Sequence, residues 1–270
     1  MTSRKRLPAT HVFLAKQMRE LSRALSATIP RVKERADDEA IHDMRVALRR
    51  LRVVLKLSRS IFGRFHVEAI RDAFTRVHRA SGALRDEEVL EETLSGLGVD
   101  APELAAWIAQ RKKREDALRT IVEKRLYAGD LKRPLHALGA LLSLPVSPKR
   151  RRPLAEFAAK AVERAQKGVD ALRDAPAEDV AALHQLRIAY KRLRYTTEIF
   201  HDALPIDVAA LAEPSAKFQK RLGTIHDLDV ARTVMDRAKT LPPWVKANIL
   251  DAIAKQREEA VELYLRDQAR

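Results

Sequence analysis

The chain has 270 residues and a mass of 30.6 kDa, enough to bury a core as one large domain or two small ones. Its 52 Lys and Arg against 37 Asp and Glu leave a formal charge of +15, so a polyanionic partner is the first expectation. With 46% apolar residues, 8 Gly and 12 Pro, the composition excludes a disordered basic tail and an all-β protein, and the absence of Cys excludes disulfides, thiolate metal sites and Cys nucleophiles.

The start, Met1 to Arg6, is basic but runs into Pro8, Thr10, His11 and Lys16 instead of an apolar core, so no export signal is expected. Apolar residues then recur three and four apart in Phe13 to Leu25, Met44 to Phe62, Leu104 to Leu126, Leu154 to Leu172, Leu183 to Phe200 and Ile249 to Leu265, each predicting an amphipathic helix. Pro30, Gly63, Pro102, Pro145 to Pro153, Pro176, Pro205 and Pro242 to Pro243 read as breaks, which gives about ten helices. The longest apolar run, Leu135 to Val146, is interrupted by His136, Gly139, Ser143 and Pro145 and falls short of the roughly 20 residues of a spanning helix. No membrane segment is expected, and the lack of Cys fits a reducing cytoplasm. The stretch 147–153, with Lys149, Arg150, Arg151 and Arg152 between prolines, predicts a linker between halves at about 7–146 and 153–270.

Those halves repeat one another at an offset close to 142 residues. Ile41-His-Asp-Met-Arg-Val-Ala-Leu-Arg-Arg-Leu-Arg52 returns as Leu183-His-Gln-Leu-Arg-Ile-Ala-Tyr-Lys-Arg-Leu-Arg194. Gly82-Ala-Leu-Arg-Asp-Glu-Glu-Val89 matches Gly223-Thr-Ile-His-Asp-Leu-Asp-Val230, and Arg114-Glu-Asp-Ala-Leu118 matches Arg257-Glu-Glu-Ala-Val261. Phe13-Leu-Ala-Lys16 matches Phe157-Ala-Ala-Lys160 more faintly. The order of blocks is the same in both halves, which predicts an all-α fold made by tandem duplication of a four-helix unit, packed about a pseudo-two-fold.

At about 100° per residue, His42, Arg45, Arg49, Arg52, Lys56 and Arg59 form one basic stripe on a helix. Met44, Leu48, Leu51, Leu55 and Phe62 form the apolar face next to it. The same construction recurs as His184, Arg187, Lys191 and Arg194 beside Leu186, Tyr190 and Leu193, with Glu198 where the first stripe has Lys56. Like charges on one helix face repel, so either acidic neighbours or an anionic ligand must balance them. Guanidinium forks donate paired hydrogen bonds to phosphate oxygens, and a row of them suits a ligand whose charges also come in a row, of which linear polyphosphate is the simplest. The basic positions are kept in both copies while the apolar ones drift from Met to Leu and Val to Ile, which favours a ligand over a merely solvated face.

The two His-x-x-Arg-x-x-x-basic-Arg-Leu-Arg helices, each followed by a Gly-x-x-x-Asp-x-acidic-Val block, resemble the CHAD domain, the conserved histidine α-helical domain, over nearly the whole chain. The resemblance implies a single all-helical domain of two four-helix repeats with a basic central cavity or groove that binds inorganic polyphosphate, in some members at polyphosphate granules. Carried over residue by residue, it implies binding by His42, Arg45, Arg49, Arg50, Arg52, His184, Arg187, Lys191, Arg192 and Arg194. Arg50 and Arg192 lie about 100° off the stripe, where a salt bridge is an equal expectation. Lys16, Lys56, Arg79, Lys160 and Lys220 are second-tier candidates to complete a basic wall. Lys191 departs from the more usual Arg, and Glu87 stands where the second repeat has Leu228. Asp86 and Asp227 are expected to be helix N-caps or orienting partners for Arg, and Trp107 and Trp244 packing residues.

His-Asp dipeptides at His42-Asp43, His201-Asp202 and His226-Asp227 raise the alternative of a metal-dependent phosphohydrolase. The repeat argues against it, because Asp43 becomes Gln185 and His226 becomes Arg85. No Glu-x-Glu-x-Lys motif of the triphosphate tunnel domains that often accompany CHAD domains occurs, so binding without turnover, cofactor or metal is expected. Nucleic acid is the other polyanion to weigh; aromatics are only 5%, with none interleaved in the first stripe, so specific recognition is not expected.

Overall fold

The apolar periodicity resolves into helices throughout the computed structural model, which describes residues 7–37, 39–147 and 152–269. In chain order the α-helices are α1 (Thr10–Lys33), α2 (Glu39–Phe62), α3 (Arg64–Ala80), α4 (Gly82–Ser95), α5 (Pro102–Tyr127), α6 (Lys132–Ser143), α7 (Leu154–Asp170), α8 (Val180–Phe200), the single turn α9 (Ile206–Ala209), α10 (Ala212–Arg237) and α11 (Pro243–Gln268). A 3-10 turn at His201–Ala203 follows α8, and no strand occurs among the described residues. None of the described helices is long and apolar enough to cross a membrane. Most of the linker 147–153 lies outside the described residues.

Helix boundaries follow local chemistry. Gly63 holds φ at 94°, a left-handed conformation that L side chains rarely adopt, and this ends α2 and starts α3. Pro102 and Pro243 open α5 and α11, where a missing N–H costs nothing. Pro30 does not break the chain as its residue type suggests: it lies in the last turn of α1, and its carbonyl accepts the Glu34 N–H at 2.9 Å. α10 runs unbroken through Gly223, whereas the matching Gly82 begins α4 after a break at Ser81.

The chain divides into two compact units that do not follow the sequence halves. The first takes the segment ending at Gly82 together with Thr120–Arg164 and Tyr195–Ala209; the second takes Ala83–Arg119, Ala165–Arg194 and the segment from Ala210 on. In the first unit α2 packs against α1 and α3, and α6 packs on α3. Met44, Leu48, Leu51 and Leu55 are fully buried there, with Phe62 nearly so. Each such side chain contributes about 1.5–3 kcal/mol by leaving water. Phe200 adds an aromatic cluster, stacked on Phe13 at 5.7 Å and edge-on to Phe157 at 5.9 Å. In the second unit Leu90, Leu94, Trp107, Leu228, Ile249 and Ile253 share one core. Leu186, Tyr190 and Leu193 of α8 are also buried, and Tyr190 stacks on Phe218 at 5.0 Å. Trp107 packs as expected, but Trp244 does not: it is 59% exposed at the second position of α11.

Candidate functional site

Burial of one face of α2 carries its basic stripe to the edge of the first unit's core and grades it in depth. Arg45 is 8% exposed, and its Nη1 donates to Ser81 Oγ at 2.7 Å and to the His78 carbonyl at 3.3 Å, which fastens α2 to the α3–α4 junction. Arg49 is half-buried; its Nη1 donates to the hydroxyl of Tyr195 at 3.1 Å, and its buried Nε has no acceptor among the described residues. Arg52, one turn on, donates from Nε to Thr75 Oγ1 at 2.9 Å. Burial, followed by the neighbouring guanidinium groups of Arg71, Arg79 and Arg49, pulls the Arg52 pKa below its ordinary value. Arg49, Arg71 and Arg79 thus lie near enough to Arg52 for their charges to act on it. His42 and Lys56 are exposed.

Acids balance the margins of the stripe. Arg59 is paired with Glu68, Arg71 is held by Glu68 at 2.8 Å and Asp72 at 3.3 Å, and Arg50 faces Glu198 at 3.8 Å. Lys16 pairs with Glu20 at 3.8 Å and Lys160 with Glu156 at 2.6 Å, both on exposed faces. Arg79 is exposed on α3, on the same face as Arg71 and Thr75. Arg71 was not legible as part of the cluster, although its spacing of four from Thr75 and eight from Arg79 is the helical signal that could have found it.

The second stripe lies along the seam of α8 and α10 in the other unit. A concavity of about 600 Å³ is lined by Arg187 and Arg194 of α8 and by Glu213, Lys217, Lys220, Gly223 and Asp227 of α10. Arg187 lies against Gly223: a Cβ there would sit 3.6 Å from Arg187 Nε, an ordinary van der Waals contact. That Nε is buried without an acceptor among the described residues, as in Arg49. Asp267, with only 6% of its side chain exposed, accepts from Lys217 Nζ at 2.6 Å and Arg221 Nε at 2.9 Å, and so fixes Lys217 at the concavity. Lys217 was missed by sequence reading, although it lies one turn from Lys220 on the same face. Lys191 is half-buried and Arg192 exposed.

Neither repeated aspartate is an N-cap. Asp227 lies well inside α10, because that helix does not break at Gly223, and Asp86 follows the first turn of α4. Asp227 is instead a half-buried carboxyl in the concavity, pushed above its ordinary pKa by burial and held back by Arg187. The departure at Glu87 has its own partner: Glu87 is 8% exposed and accepts two hydrogen bonds from Arg111, at 2.9 and 2.8 Å, while that guanidinium lies 4.7 Å from the centre of the Trp107 ring. Among the described residues no three or more His, Asp or Glu side chains converge as metal ligands do.

His184 and His226 meet where α8 and α10 pack, with ring centres 4.5 Å apart and Nδ1 atoms 3.3 Å apart. Burial first, then the Arg187 charge, pushes His226 down to about 4; burial, Arg187 and Lys191 also lower His184.

Fold and surface together define an all-helical protein with basic faces on α2 and α8. The CHAD domain family matches residues 16–236, and the chain belongs to that family. It is similar in structure to the CHAD domain from the plant Ricinus communis, with a TM-score of 0.78 and 24% identity over 98% of this chain and 93% of that one. It is also similar to PptA from Streptomyces chartreusis, with a TM-score of 0.65 and 19% identity over 97% of this chain and 100% of that one. No curated protein matches the sequence.

Proposed function

We propose that this chain binds inorganic polyphosphate, without turning it over, on the basic faces of α2 and α8. The observation that carries this reading is the pair of half-buried arginines, Arg49 and Arg187, each with a buried Nε–H that no group among the described residues accepts. An unpaired buried donor costs about 1–3 kcal/mol, and a phosphate oxygen relieves both the donor and the charge. On the first face Arg52, His42, Lys56 and Arg79 flank Arg49; on the second Arg194, Lys191, Lys217 and Lys220 flank Arg187. Rows of cations at helical spacing suit a chain of phosphates more closely than a single one. Arg45 acts by holding the α3–α4 junction, and Arg50 by its ion pair with Glu198. The pseudo-two-fold expected from the sequence repeat and a granule location belong to the same reading.

The test is calorimetric titration of long-chain polyphosphate at about 150 mM salt, where charges beyond roughly 8 Å are screened, with duplex DNA as competitor. Arg49→Ala and Arg187→Ala are each expected to weaken binding by roughly 10- to 100-fold, the value of one charge-assisted contact, and DNA to displace little polyphosphate. Equal competition by DNA, or unchanged affinity in both variants, overturns the proposal.

A further inference from the structure

In the sequence His226 stands in a His-Asp dipeptide, and its match in the first repeat is Arg85. The structure gives it a second imidazole, His184, with the two Nδ1 atoms 3.3 Å apart. At that distance one Nδ1–H donates to the other Nδ1. The donor ring then has a bare Nε2, and the acceptor ring carries its proton on Nε2. One added proton fits on the bare Nε2 and leaves the contact intact. A second would have to go on the accepting Nδ1, setting two N–H groups against each other. The pair therefore has room for one proton and one positive charge.

What surrounds the pair decides when that proton is taken up. On α8, Arg187 and Lys191 face it; on α10, Asp229 offers the opposing charge, but Asp229 already accepts from Arg257 of α11 at 2.6 Å. From α4, the charges of Arg85, Asp86 and Glu92 act on the neighbouring Asp227. Without an anion the local field is cationic and the pair is neutral near pH 7, in keeping with the low pKa of both rings. An anion on Arg187 reverses that field one helical turn from His184.

Resting on the polyphosphate reading above, we propose that His184 and His226 are a proton-uptake pair, which takes one proton from solvent onto the bare Nε2 when polyphosphate occupies the α8 face. The sign follows from linkage. The pKa of the pair is low in the free protein and raised in the complex, so binding consumes a proton and affinity rises as pH falls through the raised value. Between the free and bound values the change approaches about tenfold per pH unit.

The experiment is calorimetry of the full chain with long-chain polyphosphate, whose many internal phosphates do not titrate near neutrality, at pH 6 to 8 in two buffers of different ionisation enthalpy. Proton uptake is expected to be about one higher per occupied α8 face in wild type than in the double variant His184→Gln/His226→Gln, since a lone His184 beside Arg187 could take the proton itself. In parallel, the imidazole resonances of the wild-type protein are titrated with and without polyphosphate, a readout that needs no variant, and the His184 and His226 midpoints are expected to move up on binding. Polyphosphate binding with no proton uptake, the same uptake in the double variant His184→Gln/His226→Gln, or unmoved imidazole midpoints sinks the proton-uptake pair alone. Failure of polyphosphate to bind at any of these pH values overturns the polyphosphate reading, and the pair with it.

Discussion

Arg45 and Arg187 are aligned in the repeat, yet their neighbours give them different tasks. Arg45 meets Ser81 Oγ at the break between α3 and α4, whereas the residue aligned with Ser81 is the core residue Leu222 and Arg187 is left at the concavity. The same asymmetry governs Glu87 and Leu228: one is an ion-pair acceptor for Arg111 and the other is core. Replacing Glu87 by Leu, the second repeat's residue, is therefore expected to destabilise the protein. It removes both acceptors of a guanidinium that is only a quarter exposed, at a cost of about 2 kcal/mol. Urea unfolding of Glu87→Leu measures this, and restored stability in Glu87→Leu with Arg111→Leu would identify the stranded charge as the cause.

Among the helical elements, glycine has two opposite meanings. Gly139 lies inside α6 with nothing within 4 Å of the position a Cβ would take, so Gly139→Ala is expected to raise stability by about 0.5–1 kcal/mol through helix propensity and a less flexible unfolded chain. Gly63 holds φ at 94° at the α2–α3 junction, so Gly63→Ala is expected to lower stability by about 1 kcal/mol or more. Thermal melts of the two variants should move in opposite directions. A rise in both would mean that the junction relaxes and does not constrain α3.

For the molecule as a whole, the charge of +15 predicts that any polyanion binds more weakly as salt rises. Polyphosphate affinity is expected to fall linearly on a log-log plot against salt. Arg49→Ala and Arg187→Ala should each reduce the slope by about one, since each removes a phosphate contact. Arg50→Ala should leave the slope nearly unchanged, because Glu198 already balances that charge at 3.8 Å. Titrations at several salt concentrations decide it, and an equal loss of slope in all three variants would mean that diffuse charge, and not the stripes, governs binding.

By itself the sequence determined the helical class, the apolar faces of α2 and α8 and the basic stripes beside them, because each depends on spacing along a single helix of fixed period. Family membership was equally legible, since the two His-x-x-Arg helices and the Gly-x-x-x-Asp blocks are local motifs. Tertiary structure decided what each charge meets. Pairing depends on side chains far apart in sequence: Arg45 with Ser81, Arg50 with Glu198, and Lys217 with Asp267. It also decided that Asp227 is inside α10, that Trp244 faces solvent, and that the two compact units each draw segments from both sequence halves. The meeting of His184 with His226 belongs there as well, because helical period places each ring on its own face but only packing sets two rings from different helices 4.5 Å apart.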